Sequence, residues 1–186
     1  MLFVVDVESD GPAPGLFSMI SFGAVGVTQK VGDTTFLGRT APLPGAGRIP
    51  DAAAISGVSL EEHLRYDSPE RVMKEFVDWV EKVNRDGRPV FVSDNPAFDW
   101  QFINWYLWKF VGANPFGHSA RRVGDFNAGI KRDWFAPARE WKKLAKTRHD
   151  HNPLNDAKGV AEALVALGKK FKIPLPVVGV GDEGTP

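Results

Sequence analysis

Hydrophobic and polar residues alternate in the N-terminal part of the chain in a pattern that predicts three β-strands. Residues 2–7 form an apolar run that acquires acidic residues at alternate positions, and the Gly and Pro residues that follow end the strand. Residues 17–27 and 34–37 show the same strand-like pattern. Because no helical segment separates the three strands, we expect them to pair as an antiparallel meander.

A helical spacing of apolar residues begins after Ser68. Ser68 and Pro69 suit the cap and the first position of a helix, and apolar residues then recur on one face until Asp86 and Gly87. Residues 89–93 form an apolar strand of the kind found in parallel sheets. This order of elements predicts an α/β fold with a mixed sheet of roughly five strands flanked by helices.

Residues 98–111 form a predicted helix that is apolar on nearly every side. Such a helix is buried, or it has a second face that another surface covers. Three explanations for its aromatic residues remain open: packing in the core, an interface in a homodimer, and stacking on nucleic-acid bases. Packing in the core is the simplest of the three.

The C-terminal part of the chain is less regular. We expect a short edge strand at residues 123–126, a helix at residues 140–148 and a last helix at residues 153–168. Residues 173–186 contain three Pro and three Gly, which favours a loose tail. With no repeat or linker to divide it, the chain is expected to form one domain over residues 1–172.

The amino-acid composition excludes several kinds of site but does not change the predicted fold. The 43% hydrophobic and 25% charged residues are those of an ordinary globular protein. The absence of cysteine excludes a disulfide framework and a thiolate metal site, and it fits a reducing cytoplasm. The formal net charge is zero, so nucleic-acid binding would need a local patch or a metal ion. We expect no signal peptide, because the N-terminus has neither a basic region nor a small-residue cleavage site. We expect no membrane span, because no apolar run approaches ~18–20 residues.

Two acidic residues interrupt the apolar pattern of the first strand. Asp6 and Glu8 are two positions apart, so their side chains project from the same face. Two buried carboxylates side by side repel each other and lose hydration. A divalent cation between them offsets that cost, and carboxylate oxygens suit Mg²⁺ or Mn²⁺. The alternative is a pair of solvated acids on an edge strand.

Two further acids lie where helices are expected to begin. Asp99 follows a buried strand and a turn, and Asp156 lies five residues after His151 near the start of the last helix. An acid in the first turn of a helix also interacts favourably with the helix dipole, which would explain either residue taken alone.

In their order along the chain, these motifs resemble those of the DEDDh exonucleases, the DnaQ-like 3′–5′ exonucleases. The matching stretches are DVESDG at 6–11, SDNPAFD at 93–99 and HNPLNDA at 151–157, supported by ISFGAV at 20–25 and ISGV at 55–58. The resemblance covers residues 2–168, and it implies a ribonuclease H-like fold. The residues within these motifs are most similar to those of the bacterial and phage exoribonuclease-like branch. Ser9 and Ser56 depart from the Thr and His that are common at those positions.

The resemblance also implies a set of catalytic residues. Asp6, Glu8, Asp99 and Asp156 would bind two divalent ions, Mg²⁺ or Mn²⁺, for two-metal hydrolysis. His151 would be the general base, since an imidazole with a pKa near ~6.5 can take a proton from water at neutral pH. His149 is seven residues from Asp156 rather than five, so we expect it to be a neighbour of the site.

The activity that the resemblance implies is removal of nucleotides from single-stranded 3′ ends, with release of nucleoside 5′-monophosphates. RNA is the first expectation and DNA the alternative, because the motifs do not separate them. A non-catalytic binding module on the same fold is disfavoured, since such a module has no need of all five catalytic residues. An accessory subunit, such as a proofreading subunit, remains a further possibility, as does a homodimer.

Candidate substrate-binding residues lie close to the first strand. Ser9 would contact the terminal nucleotide, or it would only cap the turn that ends at Gly11. Met19 and Phe22 would flank the terminal base, and packing in the core is the alternative for each.

A local basic segment lies between residues 131 and 148. It has seven Lys or Arg residues against two acids, so it could contact phosphates or simply form a solvated surface. Trp134 and Trp141 lie within it and would either stack on bases or pack. His63 and His118 have no catalytic context, and we expect both on the surface.

Overall fold

The strands of the protein form one mixed sheet with the acid-bearing strand at its centre. The computed structural model describes residues 1–28, 31–84 and 87–176. Within them the strands are β1 (Leu2–Ser9), β2 (Met19–Gly26), β3 (Thr35–Arg39), β4 (Val90–Ser93) and β5 (Ala120–Arg122). Their spatial order is β3-β2-β1-β4-β5. The first three strands are antiparallel, whereas β1, β4 and β5 run parallel, which confirms the predicted mixed sheet.

Helices cover both faces of this sheet. They are α1 (Pro50–Ile55), α2 (Leu60–His63), α3 (Pro69–Val83), α4 (Pro96–Phe110), α5 (Val123–Lys131), α6 (Ala138–Lys142) and α7 (Pro153–Phe171). Phe3, Val5 and Val7 of β1 pack with α3 and α4, while Leu2 and Val4 pack with α7. The alternation of side chains along β1 therefore divides the core into two layers.

Helix α3 forms where the sequence predicts it. The side chain of Ser68 accepts a hydrogen bond from the Arg71 amide, and Pro69 occupies the first turn. The helix ends at Val83, before the expected end at Asp86, which lies outside the described residues.

The apolar helix α4 is mainly a core element. Phe102, Ile103, Tyr106 and Leu107 are fully buried, and the remaining aromatic residues except Trp108 pack partly against the same cluster. The Tyr106 hydroxyl accepts a hydrogen bond from the Met19 amide at 2.7 Å and so ties α4 to β2. Core packing therefore explains most of this helix.

The expected edge strand at residues 123–126 is wrong in position. The last strand is Ala120–Arg122, and Val123 begins α5. The reason lies in the neighbouring strand: Arg122 pairs with Ser93, and β4 ends there because the chain turns into α4. Val123 has no strand beside it to continue the ladder.

The expected helix at residues 140–148 is also wrong in extent, since α6 ends at Lys142. The amides of Lys146 and Thr147 donate to the Glu162 carboxylate on α7 and not to carbonyls of a continuing helix. Beyond α7, Ile173 donates to the Gly168 carbonyl and Leu175 packs against the core, so the start of the expected tail is anchored. Residues 177–186 of that tail lie outside the described residues.

None of the helices in the described part of the chain is both long enough and apolar enough to span a bilayer.

Candidate active site

The central strand places two carboxylates beside α7. Asp6 and Glu8 continue the alternate positions that are apolar earlier in β1, on the face that α7 covers. Burial raises the pKa of Asp6 well above its usual value, and Asp99, Asp156 and Glu8 raise it further. Burial, with the charges of Asp156 and Asp99, raises the pKa of Glu8 to about 7. Both acids are partly buried, and no Lys or Arg of the described residues forms an ion pair with either of them.

Asp99 is held against β1 by the start of α4. Its Oδ1 atom accepts a hydrogen bond from the Val7 amide at 3.2 Å, and its own amide donates to the Asn95 carbonyl. Burial raises the pKa of Asp99 to about 7, although hydrogen bonds from Ser93, Val7 and Asn95 oppose the rise. The sequence explanation of Asp99 as a helix-dipole residue is therefore incomplete, because the side chain is 3% exposed and faces the other acids.

Asp156 enters the site on the first turns of α7. Asn152 caps this helix by accepting hydrogen bonds from Leu154 and Asn155. The helix can descend onto the sheet because Gly23 of β2 has no side chain: a Cβ there would lie 2.3 Å from the Pro153 carbonyl oxygen. Gly23 is also the antiparallel partner of Asp6, so the close approach lies directly beside the carboxylates.

The donor set fits a divalent cation. Single oxygen atoms from Asp6, Glu8 and Asp156 lie within 4.8 Å of one another. Asp99 is outside that group by distance, but its charge raises the pKa of both Asp6 and Glu8. Four carboxylates in a buried cluster are tolerated when cations neutralise them, and oxygen-only ligands suit Mg²⁺ and Mn²⁺. We call these four residues the carboxylate floor.

Two histidines cover the floor from an exposed segment, residues 145–152, which we call the histidine strap. His149 Nδ1 lies 2.7 Å from Asp156 Oδ2, and His151 Nδ1 lies 3.9 Å from Glu8 Oε1. The two imidazole rings are 4.4 Å apart at their centroids. Together with Asp156, the histidines form a second group of possible metal ligands within 4.8 Å. The structure therefore brings all five predicted catalytic residues together and adds His149.

The strap is fixed to α7 at its first half by one carboxylate. Glu162 accepts hydrogen bonds from the Lys146 amide, the Thr147 amide and the Thr147 hydroxyl at 2.7, 2.7 and 3.1 Å. Gly159 allows this contact, since a Cβ there would lie 3.0 Å from the Thr147 carbonyl oxygen. The sequence analysis missed Glu162, which looks like an ordinary helix-surface acid in the sequence.

The second half of the strap is fixed through Asp150. Its amide donates to Asp156 Oδ1 at 3.0 Å, and its carboxylate accepts from the Asn152 amide and the Asn155 side chain. His151 follows with a left-handed backbone φ of 60°. This conformation is uncommon for a residue with a side chain, and it directs the chain from the strap into α7.

The predicted substrate contacts of Met19 and Phe22 are wrong for this structure. Both side chains are fully buried, and Phe22 packs between Phe36 and Phe76. Every residue of β2 is buried, because helices cover both faces of the sheet, so its side chains meet a packed layer on either face. Ser9 is nearly buried and its hydroxyl donates to the Gly11 carbonyl at 2.7 Å. This bond is the turn-capping alternative; a contact of Ser9 with the substrate stays a prediction.

The expectation that His63 lies on the surface is wrong. His63 is fully buried, with Nδ1 3.4 Å from Asp10, whose carboxylate also pairs with Arg48 at 3.1 Å. Asp10 and Arg48 were not singled out, because the three residues meet only in the folded chain. His118 is exposed as expected.

The basic segment lies beside the carboxylate floor. A cavity of about 270 Å³ is lined by Asp6 and Asp156 together with Lys142, Lys146 and Arg148. The two tryptophans of the segment differ: Trp141 is buried and lines this cavity, whereas Trp134 is 88% exposed. Packing is therefore the explanation for Trp141 alone.

Comparison with known proteins gives one relative of high coverage. An Escherichia coli protein described as the 3′–5′ DNA exonuclease Cap18 is 35% identical over 171 residues, which is 89% of this chain and 90% of that protein. No family model matches the chain.

Solved structures show the same fold at lower identity. Cell-death related nuclease 4 superposes with a TM-score of 0.72 at 17% identity, covering 91% of this chain and 64% of that one. The nuclease domain of 3′hExo, described as a DEDDh family member bound to rAMP, superposes with a TM-score of 0.65 at 16% identity, covering 93% and 94%.

Proposed function

Because the chain belongs to the DEDDh family of 3′–5′ exonucleases, we propose that it removes nucleotides one at a time from the 3′ end of single-stranded DNA with two divalent ions. The observation that carries the proposal is the convergence of Asp6, Glu8, Asp99, Asp156 and the two strap histidines at one edge of the sheet. A purely nucleic-acid-binding surface has no use for four clustered acids, buried or partly buried, that repel phosphate.

The four acids of the floor would hold Mg²⁺ or Mn²⁺, which would neutralise charge on the scissile phosphate and lower the pKa of the attacking water. His151 would accept a proton from the attacking water, and its exposed position on the strap leaves room for a substrate to enter first. His149 holds Asp156 in place through its Nδ1 contact. Breakage of the bond between phosphorus and the 3′-oxygen, which would leave with a proton on the shortened strand, would release nucleoside 5′-monophosphates.

DNA is preferred to RNA in this proposal because the relative at 35% identity is described as a DNA exonuclease. RNA was favoured only because the motif residues resemble those of the exoribonuclease-like branch, and RNA remains the second candidate. An accessory role beside a partner protein is a further alternative. It is supported by Trp108, which is half-exposed on α4 while most other aromatic residues of this helix pack in the core.

Digestion of end-labelled oligonucleotides tests the proposal. With Mg²⁺ or Mn²⁺, a 3′-labelled strand should lose its label as a mononucleotide at once, and a 5′-labelled strand should give a descending ladder. A chelator should stop both reactions. Matched DNA and RNA strands of the same sequence measure the sugar preference. Cleavage at internal positions, or label release that chelator leaves unchanged, would contradict the proposal.

A further inference from the structure

The turn between α5 and α6 exposes the two most accessible large hydrophobic residues of the described chain. Trp134 is 88% exposed and Phe135 is 87% exposed. Aromatic side chains of this size normally bury 150–250 Å² each when they find a partner. Neither ring packs on another ring in the described part of the chain, so most of the surface of each is open to contact.

This turn is ordered by backbone bonds. The Phe135 amide donates to Asp133 Oδ1 at 2.9 Å, and the Asp133 amide donates to the Ala128 carbonyl at 3.1 Å. Arg132 adopts a left-handed conformation that ends α5 just before the turn. The two aromatic rings are therefore presented by a fixed backbone, which reduces the entropy lost when a ligand stacks on them.

The charges around the aromatic turn are positive. Residues 131–148 have a net charge of +5, from seven basic and two acidic residues. Lys131 pairs with Glu140 and Lys142 pairs with Asp94. The other five basic residues are exposed and have no carboxylate within salt-bridge distance in the described chain, namely Arg132, Arg139, Lys143, Lys146 and Arg148. Such a surface complements a polyanion and disfavours a basic or neutral protein partner.

The same segment leads directly into the active site. From Trp134 the chain continues through α6 to Lys142, Lys146 and Arg148, which line the cavity beside Asp6 and Asp156. A strand whose 3′ end lies at the carboxylates must leave the site along some surface. This segment offers one such path, with two exposed rings at one end and cations from there to the cavity, the combination typical of single-strand binding.

We propose that Trp134 and Phe135 stack on bases of the single strand upstream of the scissile bond, while the unpaired basic residues of segment 131–148 contact its phosphates. The proposal rests on the proposed exonuclease function, because it takes the 3′ end of the strand to be at the carboxylate floor. It makes the turn a determinant of affinity for long strands and leaves the chemistry at the 3′ end unchanged.

Two measurements on the full chain test it. Hydrolysis is followed on a dinucleotide and on a DNA strand of about 20 nucleotides, longer than most single-strand binding sites. Binding of the long strand is followed by fluorescence anisotropy in chelator. The double variant Trp134→Ala/Phe135→Ala should raise KM and Kd for the long strand about ten-fold, equal to about 1.4 kcal/mol. Both constants for the dinucleotide, and kcat for both substrates, should change less than about two-fold, within the scatter of exposed substitutions.

Three further variants sharpen the result. Trp134→Phe keeps an aromatic face and should restore most of the affinity of the long strand. Trp108→Ala removes a tryptophan that is 51% exposed on α4 and should leave both substrates unaffected. Lys146→Gln should reduce the slope of log affinity against log salt by about 0.7, the value for one phosphate contact on a single strand.

The outcomes separate this inference from the proposed function. If the unmodified protein neither hydrolyses nor binds the strand, both are overturned. Hydrolysis of DNA with equal affinity for the long strand in the unmodified protein and the double variant overturns the inference alone. An equal loss on dinucleotide and long strand also overturns it, since the turn would then act on the catalytic centre. A monomer–dimer shift in the double variant, with strand affinity unchanged, would assign the turn to a protein interface instead.

Discussion

The carboxylate floor and the histidine strap form opposite sides of one site and are held in different ways. Asp99 and Asp156 are 3% and 4% exposed, and the floor is embedded in β1, α4 and α7. The side chains of His149 and His151 are 68% and 48% exposed, on a segment without regular structure. Few side-chain bonds fix the strap, whereas a whole core fixes the floor.

This difference teaches which part of the site tolerates adjustment. The floor gathers charges that repel one another, so it needs a rigid framework to keep them together. The strap has to admit a substrate, so a small number of bonds through Glu162 and Asp150 is enough to position it. Substitutions in the floor and in the strap should therefore have different effects on hydrolysis and on stability.

The largest effect is expected from Asp99→Asn in the floor. Asn keeps an oxygen that can accept from the Val7 amide, so the fold should survive, but the charge needed to bind a cation is lost. Hydrolysis should fall by more than the roughly 10–100-fold typical of removing a residue hydrogen-bonded to a metal ligand. Asp125→Asn, at an exposed acid on α5, is the control. Retained turnover in Asp99→Asn, measured by release of labelled nucleotide, would exclude the floor as the metal site.

The next largest effect distinguishes the two histidines of the strap. His151→Ala should lower kcat by about 10²–10⁴-fold, as expected for loss of a general base, with little change in strand binding. His149→Ala should have a smaller effect, because its role is the contact with Asp156. Single-turnover kinetics and binding in chelator provide the two readouts. A greater loss of kcat in His149→Ala would transfer the role of base to His149.

A smaller effect is expected when the strap is loosened without touching either histidine. Glu162→Gln keeps one oxygen for the two strap amides, which both bond Oε2, but it removes the negative charge and places an NH2 group against the Thr147 hydroxyl. A displacement of about 1 Å costs on the order of 10²-fold, so a partial displacement should lower kcat about ten-fold and leave KM nearly unchanged. Glu75→Gln on α3 is the matched control, since Glu75 pairs only with exposed Arg71. Equal kcat for Glu162→Gln and the unmodified protein would show that the strap needs no such anchor.

The smallest effect concerns stability of the metal-free floor against pH. Folding raises the pKa of Glu8 from 4.5 to about 7, so folded protein holds this proton more tightly than unfolded chain does. The resulting stabilisation is complete below pH ~4.5 and is lost as pH rises to ~7. The melting temperature of the unmodified protein in chelator should therefore fall relative to that of Glu8→Gln over this range. Parallel curves for the two proteins would contradict the charge repulsion inferred here.

Much of the fold follows from local sequence patterns. The alternation in β1, the cap at Ser68 and the apolar sides of α4 each depend on neighbouring residues, and each element forms close to its predicted place. The errors occur where a distant element decides the outcome. Val123 leaves the sheet because β4 ends, and the chain after α6 stays close to α7 because the Lys146 and Thr147 amides donate to Glu162.

The site shows the same division. The order along the chain made five residues recognisable as candidates, and the structure brings them together: Asp6, Glu8, Asp99, His151 and Asp156. Phe22 and His63 were misplaced because burial depends on residues far away in sequence, such as Phe76 for Phe22 and Arg48 for the environment of His63. The sequence also could not predict which of Trp134 and Trp141 is exposed and which is buried, since both lie in the same basic segment.

Gly23 determines how closely α7 approaches the sheet at the site. Since the α7 backbone rests where a methyl group would be, Gly23→Ala would act as a wedge between the sheet and the helix that carries Asp156. The wedge would separate the acid of α7 from the two acids of β1 while leaving every ligand chemically intact. The spacing between the acids of β1 and the acid of α7 is thus determined by a hydrogen atom, at a position that contributes no carboxylate.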